Sequence, residues 1–160
     1  MNEREFWDLV NQSVTMEENQ YNWLANQLAE KKVIEIVEFK EFCSEIYIKL
    51  VRNMELGSVL QTRVSFVSDD GYSFFCEWLI SKGEEVIKSV LEDPNNLIQI
   101  LPEKTEFPPS NEGFTYVPAE AYEKKRRNVL DDIDTSEDEN KFVLLITGKF
   151  NEAIQKVNRD

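Results

Sequence analysis

The chain has 160 residues, of which 41% are hydrophobic and 31% are charged, and this composition suits one globular domain with a sizeable core. Its 18 Lys and Arg against 31 Asp and Glu give a formal net charge of −13, which argues against binding to nucleic acid or to an acidic membrane surface. The chain has no histidine, so imidazole is excluded as a catalytic base and as a metal ligand.

The cysteines and the first residues of the chain favour a cytoplasmic protein. Cys43 and Cys76 lie within apolar helical patterns, and a chain with a core of this size needs no disulfide, which suits a reducing compartment. The amino-terminal residues lack the basic and then apolar pattern of a secretion signal. The longest apolar run covers residues 142–146, far short of the roughly 20 residues that cross a bilayer. We therefore expect a soluble protein of the cytoplasm.

Hydrophobic spacing in the first third of the chain predicts three helices. Residues three and four positions apart form one apolar face in the first two of them, which carry Phe6, Trp7 and Val10, and then Tyr21, Leu24, Ala25 and Leu28. The strongest pattern runs from Ile34 to Met54 and predicts the central helix, with Gly57 as its stop signal. Residues 57–67 fit neither the helical nor the strand period, which leaves a short helix or an extended connection.

The middle of the chain predicts two further helices with clear boundaries. Ser68 or Asp69 is expected to cap a helix whose apolar face consists of Tyr72, Phe75, Cys76, Leu79 and Ile80. Gly83 predicts a kink or a helical hairpin, after which a helix continues until Asp93-Pro94. The helix of Tyr72 to Ile80 is expected to pack against the central helix, because their apolar stripes are the widest in the chain.

The last third of the chain predicts an irregular segment followed by helical pieces. Residues 102–118 contain four of the five prolines, and Phe107, Phe114 and Tyr116 are expected to anchor this segment to the helices. Pro118 suits the first turn of a helix that runs into the basic cluster at residues 124–127, which we interpret as a helix end carrying cations.

Residues 131–139 have the composition of a solvated acidic linker, and residues 143–157 have the spacing of a last amphipathic helix. The predicted fold is therefore an all-α, single-domain bundle of several helices with a long irregular proline-rich segment. We expect residues 1–125 to form the helical domain, and residues 126–160 to hold the acidic linker and the carboxyl-terminal helix.

Motifs for phosphate and calcium binding are both incomplete. Around Gly148-Lys149, Val143 and Phe150 replace the glycine and the hydroxyl residue that a phosphate loop needs. The run from Asp132 to Ser136 imitates the start of a calcium loop, but Val143 stands in place of its bidentate glutamate. We therefore predict no metal site and no cofactor.

No residue is assigned a catalytic role from the sequence. Asp69 and Asp70 are adjacent carboxylates that could share a proton, but a helix cap and a favourable contact with the helix dipole explain them more simply. Cys76 lies on an apolar stripe with no histidine to activate it, so we interpret it as a core thiol.

Several of these residues also resemble a known family. The resemblance is carried by Phe6-Trp7, Ser68-Asp69-Asp70-Gly71-Tyr72, Trp78-Leu79-Ile80, Gly83, Asp93-Pro94, Glu112, Phe114, Tyr116 and Tyr122. Over about residues 1–125 the chain resembles bacterial proteins with domain of unknown function 4240. The resemblance implies a small bacterial cytoplasmic protein and brings no established reaction, and it leaves residues 126–160 as an extension of this chain.

The first of two functional hypotheses is an acidic protein-interaction module, such as an immunity or antitoxin-like inhibitor, that binds a basic protein partner. Its interface would combine the aromatic proline-rich segment around residues 107–116 with an acidic run. The carboxylates of that run are Asp131, Asp132, Asp134, Glu137, Asp138 and Glu139. We favour this hypothesis because it requires no convergence of catalytic groups.

The second hypothesis is an enzyme that works without histidine, or a protein that binds a small ligand, with a cleft near Ser68 to Tyr72. Glu112 and Tyr116 would complete this cleft, and Asp69 or Glu112 would act as acid or base. The residues expected at the cleft are Asp69, Asp70, Tyr72, Trp78, Glu112 and Tyr116.

Overall fold

The computed structural model describes residues 1–110 and 113–131, with side chains described as far as Asn128. Within these residues the chain forms eight α-helices and no strand, so the predicted all-α fold is confirmed. The helices are α1 (Glu3–Val14), α2 (Gln20–Ala29), α3 (Val33–Val51), α4 (Met54–Arg63), α5 (Asp69–Ser81), α6 (Glu84–Glu92), α7 (Leu97–Ile100) and α8 (Val117–Asp131). Short 3-10 helices cover Glu17–Asn19, Pro94–Asn96 and Phe114–Tyr116.

A buried aromatic cluster lies where α1, α3 and the 3-10 helix Phe114–Tyr116 meet. Phe6, Phe39 and Phe114 are all fully buried, with ring centroids 4.8 Å apart for Phe6 and Phe39 and 6.5 Å apart for Phe39 and Phe114. Trp7 extends the cluster at 4.8 Å from Phe6. The predicted packing of α3 against α5 is present, and Phe75 of α5 is fully buried as well. This cluster anchors the amino-terminal helix and the late segment to the same central helix.

The boundary between α3 and α4 differs from the prediction. We expected one helix from Ile34 to Met54, but α3 ends at Val51 and the Asn53 side chain accepts a hydrogen bond from the amide of Leu56, which starts α4. Met54 is consequently 83% exposed instead of joining the apolar stripe. The prediction that Gly57 stops a helix is also wrong, because Gly57 lies inside α4 against the ring of Tyr72.

The ambiguous stretch 57–67 contains both of the structures considered for it. The helix α4 continues to Arg63, and residues 64–68 are extended. The cap predicted for the next helix is confirmed, because the Ser68 hydroxyl accepts a hydrogen bond of 3.0 Å from the amide of Gly71. These residues therefore link two capped helices, with Val64 buried in the core and Ser65 and Phe66 exposed at the surface.

The turn between α5 and α6 confirms the break predicted at Gly83. Gly83 has φ +98°, a left-handed conformation that side chains rarely tolerate. A Cβ at this position would also lie 2.7 Å from Oδ1 of Asn11 on α1. That same oxygen accepts a hydrogen bond of 3.0 Å from the amide of Glu84, the first residue of α6. The sharp turn is thus held by a side chain from a distant helix.

Helix α8 packs along α2, and polar contacts fix its position. The Lys124 ammonium donates to Oδ1 of Asn22 at 2.7 Å and to Oδ1 of Asn26 at 2.9 Å, while the Lys125 ammonium donates to the carbonyl of Ala29 at 3.0 Å. We interpreted this basic cluster as a helix end, but α8 continues to Asp131, so that interpretation is wrong. The lysines instead join two helices, and α8 runs without a break through residue 125, where we placed the domain boundary.

The irregular proline-rich segment is only partly anchored by its aromatic residues. Phe114 is fully buried, as predicted, but Phe107 is 57% exposed and Tyr116 is 69% exposed, so the prediction that all three anchor the segment is wrong for two of them. The acidic linker from Asp132 to Glu139 and the helix predicted for residues 143–157 lie outside the described residues. Within the described part of the chain, no helix combines the length and apolarity that a membrane span requires.

Candidate functional site

Backbone pairing between two extended segments builds one unusual surface. The amide of Ser65 donates to the carbonyl of Thr105, the amide of Phe66 donates to the carbonyl of Glu106, and the amide of Thr105 donates to the carbonyl of Arg63, each at 3.1 Å. The Arg63 guanidinium adds bonds to the carbonyls of Leu101 and Pro102. Because these bonds fix the two segments side by side, the side chains that they carry are held at defined positions.

Two phenylalanines project from these segments as an exposed pair. Phe66 is 59% exposed and Phe107 is 57% exposed, and their ring centroids lie 6.3 Å apart at 81°, an edge-to-face arrangement. The Thr105 hydroxyl donates to the carbonyl of Phe107 at 2.7 Å, which further restrains that residue. Two large aromatic side chains held together in solvent are a common feature of binding surfaces, because water is displaced favourably from them.

Exposed carboxylates lie close in the sequence to both residues of this aromatic pair. Asp69 and Asp70 lie in the exposed first turn of α5, directly after the segment that carries Phe66, and Glu106 is exposed beside Phe107. The ring of Pro108 lies 3.9 Å from a Cβ placed on Gly71, so the second segment also reaches the first turn of α5. We define the acidic aromatic surface as Phe66, Asp69, Asp70, Glu106 and Phe107.

Two of the residues expected at a cleft stabilise the fold instead. The Tyr72 hydroxyl donates to the carbonyl of Leu50 at 3.1 Å and lies 3.3 Å from the carbonyl of Asn53, and burial raises its pKa. Trp78 is half-buried, with its ring stacked 5.8 Å from Phe75 and the Lys82 ammonium 5.0 Å away. These contacts explain both residues without a ligand.

The other residues predicted for the cleft do not come together in the described structure. Thr115, the neighbour of Tyr116, donates a hydrogen bond to Glu77. Glu77 lies about two helical turns along α5 from Asp70, which places Tyr116 away from the first turn of α5. Glu112 lies outside the described residues, as do Asp132, Asp134, Glu137, Asp138 and Glu139. Asp131 is the last residue of α8, and its side chain is not among those described. The cleft near Ser68 to Tyr72 therefore stays a prediction.

Both cysteines are buried, as predicted. Cys43 is 3% exposed and Cys76 is fully buried. Burial raises the pKa of the Cys76 thiol to about 12 and also raises that of Cys43. A thiol that stays protonated at neutral pH is a weak nucleophile, which agrees with the interpretation of Cys76 as a core residue.

A second candidate site lies along one face of α3. Lys40, Cys43, Ser44 and Tyr47 are spaced at i, i+3, i+4 and i+7, and together they line a pocket of about 160 Å³. The Ser44 hydroxyl donates to the carbonyl of Lys40 at 2.9 Å. We call this cavity the polar pocket, because the face of α3 that is apolar elsewhere carries an ammonium group and two hydroxyl groups here.

The opposite wall of the polar pocket contains a buried carboxylate. Glu77 of α5 is 8% exposed, and its Oε2 accepts hydrogen bonds from the Thr115 amide at 3.4 Å and from the Thr115 hydroxyl at 3.1 Å. Pro118 of α8 completes this wall. Besides burial, the charge of Glu77 raises the pKa of Cys43 and the charge of Lys40 lowers it, so both charges lie near one thiol.

Sequence reasoning missed the residues that distinguish both sites. Glu77 is the one charged residue between Tyr72 and Ser81, and a single carboxylate inside so apolar a stretch was the available signal. Phe66 lies in the stretch that fitted neither period, and its exposure depends on the backbone pairing with Glu106, which no local pattern predicts.

Comparison with known protein families identifies the family of this chain. The family described as "Protein of unknown function (DUF4240)" matches residues 1–124. The chain belongs to the DUF4240 family. No curated protein and no solved structure matches it significantly. The resemblance found in the sequence is confirmed. Both the acidic aromatic surface and the residues of the polar pocket lie within the part that the DUF4240 family covers.

Proposed function

We propose that this DUF4240 protein is an interaction module that binds a basic protein segment through the acidic aromatic surface. The observation that carries the proposal is the exposed pair of Phe66 and Phe107, which lies edge to face on paired backbone segments and has exposed carboxylates nearby in the sequence. Aromatic anchors supply much of the binding energy in protein interfaces when a partner excludes water from them.

The chemistry of the surface indicates the chemistry of the partner. Covering the exposed half of each ring would remove about 100 Å² of apolar area from water, which is worth about 2 kcal/mol per ring. Asp69, Asp70 and Glu106 would attract Lys and Arg side chains and raise the association rate. Lys104 is an exposed cation on the same segment, but the carboxylates outnumber it. A segment with basic residues around an apolar or aromatic side chain complements this arrangement.

The acidic run from Asp131 to Glu139 supports the same proposal from the sequence. Its six carboxylates add to the negative field that a basic partner meets before contact, over a Debye length of about 8 Å at cellular salt. Its contribution is expected in the association rate and its salt dependence. The aromatic pair is expected to act on the dissociation rate, since it makes the desolvated contacts.

The test begins with proteins recovered from a lysate of the native host at low and moderate salt. The purified partner is then measured by surface plasmon resonance against three variants: F66A/F107A, D69N/D70N, and the chain with all six carboxylates of residues 131–139 changed to amides. Two variants serve as controls. Ile34→Ala removes an exposed apolar side chain elsewhere, and Glu85→Gln removes an exposed carboxylate elsewhere.

The proposal expects a partner with a basic face whose dissociation is at least about tenfold faster from F66A/F107A. Its association with the two neutralised variants should be slower and less dependent on salt. The controls should bind like the unmodified chain. A partner without a basic face, or one that binds F66A/F107A with unchanged kinetics, would contradict the proposal. If the partner is an enzyme, loss of its activity on binding would support the inhibitor role, and full activity in the complex would exclude that role.

A further inference from the structure

We propose that, in the absence of a partner, the acidic aromatic surface is covered by residues 141–159 of the same chain, which we call the basic segment. The inference rests on the proposed function, because it names what occupies and regulates that same surface. A partner then has to displace the basic segment, so its apparent Kd rises as the fraction of uncovered chains falls.

The first support is charge. The basic segment carries one carboxylate, whereas the rest of the chain has a large excess of carboxylates. Its cations are Lys141, Lys149, Lys156 and Arg159. Within residues 1–110 and 113–128, no cation forms an ion pair with Asp69, Asp70 or Glu106. These exposed carboxylates are therefore available to the cations of the basic segment.

The second support is the spacing of apolar residues in the basic segment. The apolar positions that recur with the helical period are Val143, Ile146, Phe150, Ala153, Ile154 and Val157. Lys149 and Lys156 are seven residues apart, so the predicted helix would place both at one border of this apolar face. An apolar face with an aromatic residue and a basic border complements exposed rings that have carboxylates nearby.

The length of the connection permits the contact. Residues 132–149 join the end of α8 to Phe150. With the predicted helix formed from residue 143, they span up to about 50 Å, against a width of about 40 Å for a compact domain of this size. Such a tether gives an effective concentration of about 1 mM, so a contact with a Kd of about 100 μM would cover about nine chains in ten.

Other parts of the chain complement the basic segment less well. Val51 and Met54 are also exposed, where α3 meets α4. Lys49 and Arg52 offset Glu55 there, so no excess of negative charge attracts the basic segment. The acidic run attracts the same lysines, but it contains a single large apolar residue and cannot cover an apolar face. The acidic aromatic surface offers both the charge and the apolar area.

The contact is tested by disulfide formation in the full chain. Ser65→Cys places a thiol beside Phe66, and Asn151→Cys places one beside Phe150. The two native cysteines are buried and do not compete. A disulfide requires Cα atoms within about 7 Å of each other. In dilute solution under mild oxidation, this pair should form an intramolecular disulfide at least about tenfold faster than Glu85→Cys paired with Asn151→Cys.

Further changes within the first cysteine pair separate binding from tethering. Adding K149E/K156E leaves the tether unchanged but reverses the charges, and adding F66A/F107A removes the rings. Each should lower the rate of disulfide formation at least about fivefold, because the covered fraction falls. K82E/K88E reverses two exposed lysines elsewhere and serves as the matched control, which should leave the rate unchanged.

A synthetic peptide of residues 141–159 measures the cover independently. In isothermal titration calorimetry it should bind the K149E/K156E chain about tenfold more tightly than the unmodified chain, whose own basic segment occupies the surface. Adding F66A/F107A to K149E/K156E should weaken binding of the peptide at least about tenfold.

Three results would overturn the inference. They are an unchanged rate of disulfide formation with K149E/K156E, equal binding of the peptide by the unmodified and K149E/K156E chains, and disulfides that form only between chains. The last result would assign the basic segment to the surface of a second copy. None of these measurements needs the partner from the lysate. A partner that binds F66A/F107A with unchanged kinetics would therefore contradict the proposed function while leaving the intramolecular contact standing.

Discussion

The buried aromatic cluster and the exposed aromatic pair both contain phenylalanine, but one group is buried in the core and the other is exposed to solvent. Phe6, Phe39 and Phe114 are fully buried, and the ring of Phe39 lies 4.8 Å from Phe6 and 6.5 Å from Phe114. Phe66 and Phe107 form a pair at 6.3 Å, with more than half of each residue exposed to solvent. The centroid distances are comparable, although the buried pairs are tilted at 51° and 44° and the exposed pair is edge to face at 81°, so the ring separation does not distinguish the two groups. The difference is whether other helices cover the rings.

This difference indicates what each group contributes. Covering by α1, α3 and the segment at Phe114 gives the cluster its burial energy, so the cluster stabilises the fold. The exposed pair keeps most of its apolar surface in contact with water, and the paired backbone at Phe66 and Glu106 holds it there. Surface that folding leaves uncovered is available to a partner.

The largest expected effect comes from removing a ring of the buried cluster. Phe39→Ala should lower the free energy of unfolding by about 3–5 kcal/mol, because it leaves a cavity between Phe6 and Phe114. Urea denaturation followed by circular dichroism measures this loss. Phe107→Ala is the matched control from the exposed pair. Similar losses in the two variants would break the distinction between cluster and pair.

The next effect concerns the cap that starts α5 beside the exposed pair. Ser68→Ala should cost about 1 kcal/mol, because the amide of Gly71 loses its partner at the start of the helix. Thermal denaturation measures the loss, and Ser68→Asp, which keeps an acceptor, should restore most of it. No loss in Ser68→Ala would mean that the first turn of α5 is held by the paired segments alone.

Tyr21 sharpens the comparison at the edge of the buried cluster, where its ring lies 5.7 Å from Phe114. An interaction with Ser81 lowers the pKa of Tyr21, but within the described part of the chain the buried hydroxyl makes no hydrogen bond of good geometry. Tyr21→Phe should therefore stabilise the protein by about 0.5–1 kcal/mol at pH 7. A clear loss of stability in chemical denaturation would show that the hydroxyl does have a partner.

The same residue predicts a dependence on alkaline pH. Burial raises the pKa of Tyr21 to about 12 from a usual value near 10, so the folded state holds this proton more tightly than the unfolded state. Its contribution to stability is complete below pH 10 and is lost as the pH rises towards 12. Tyr21→Phe should therefore lose less stability over this range in denaturation curves measured at each pH.

The smallest effect is expected from the exposed pair itself. Phe66→Ala should change the free energy of unfolding by less than about 0.5 kcal/mol, because the ring is largely solvated in the folded chain. Urea denaturation measures this change, with Met54→Ala at a more exposed position as the control. A loss above about 2 kcal/mol would show that the pair stabilises the fold and would weaken its interpretation as a binding surface.

Local patterns predicted the helices but could not predict which aromatic residues of the irregular segment are buried. The caps at Ser68 and the break at Gly83 follow from backbone chemistry that acts over a few residues, so the sequence sufficed for them. Phe107 and Phe114 occupy similar proline-rich surroundings, yet one is exposed and the other buried, because burial depends on which helices they meet. That information is not local.

The same reason explains the errors at α4 and in the candidate sites. The apolar stripe continues past Val51, and only the cap that Asn53 makes to Leu56 ends α3 and begins a new helix. Glu77 lines the polar pocket together with Lys40 and Thr115, which are remote from it in the sequence, so no local pattern predicts this site. The family match shows which proteins are related to this chain, but it assigns no activity to them.

The bond between Asn11 and the amide of Glu84 has a consequence for measuring motion. The first amides of a helix have no partner inside it and usually exchange with solvent hydrogen quickly, but this one donates a hydrogen bond to a side chain 73 residues earlier in the chain. Its exchange rate therefore reports how often α1 leaves its place while α6 stays folded. A single amide thus gives a local reading of whether the amino-terminal helix opens alone or together with the rest of the fold.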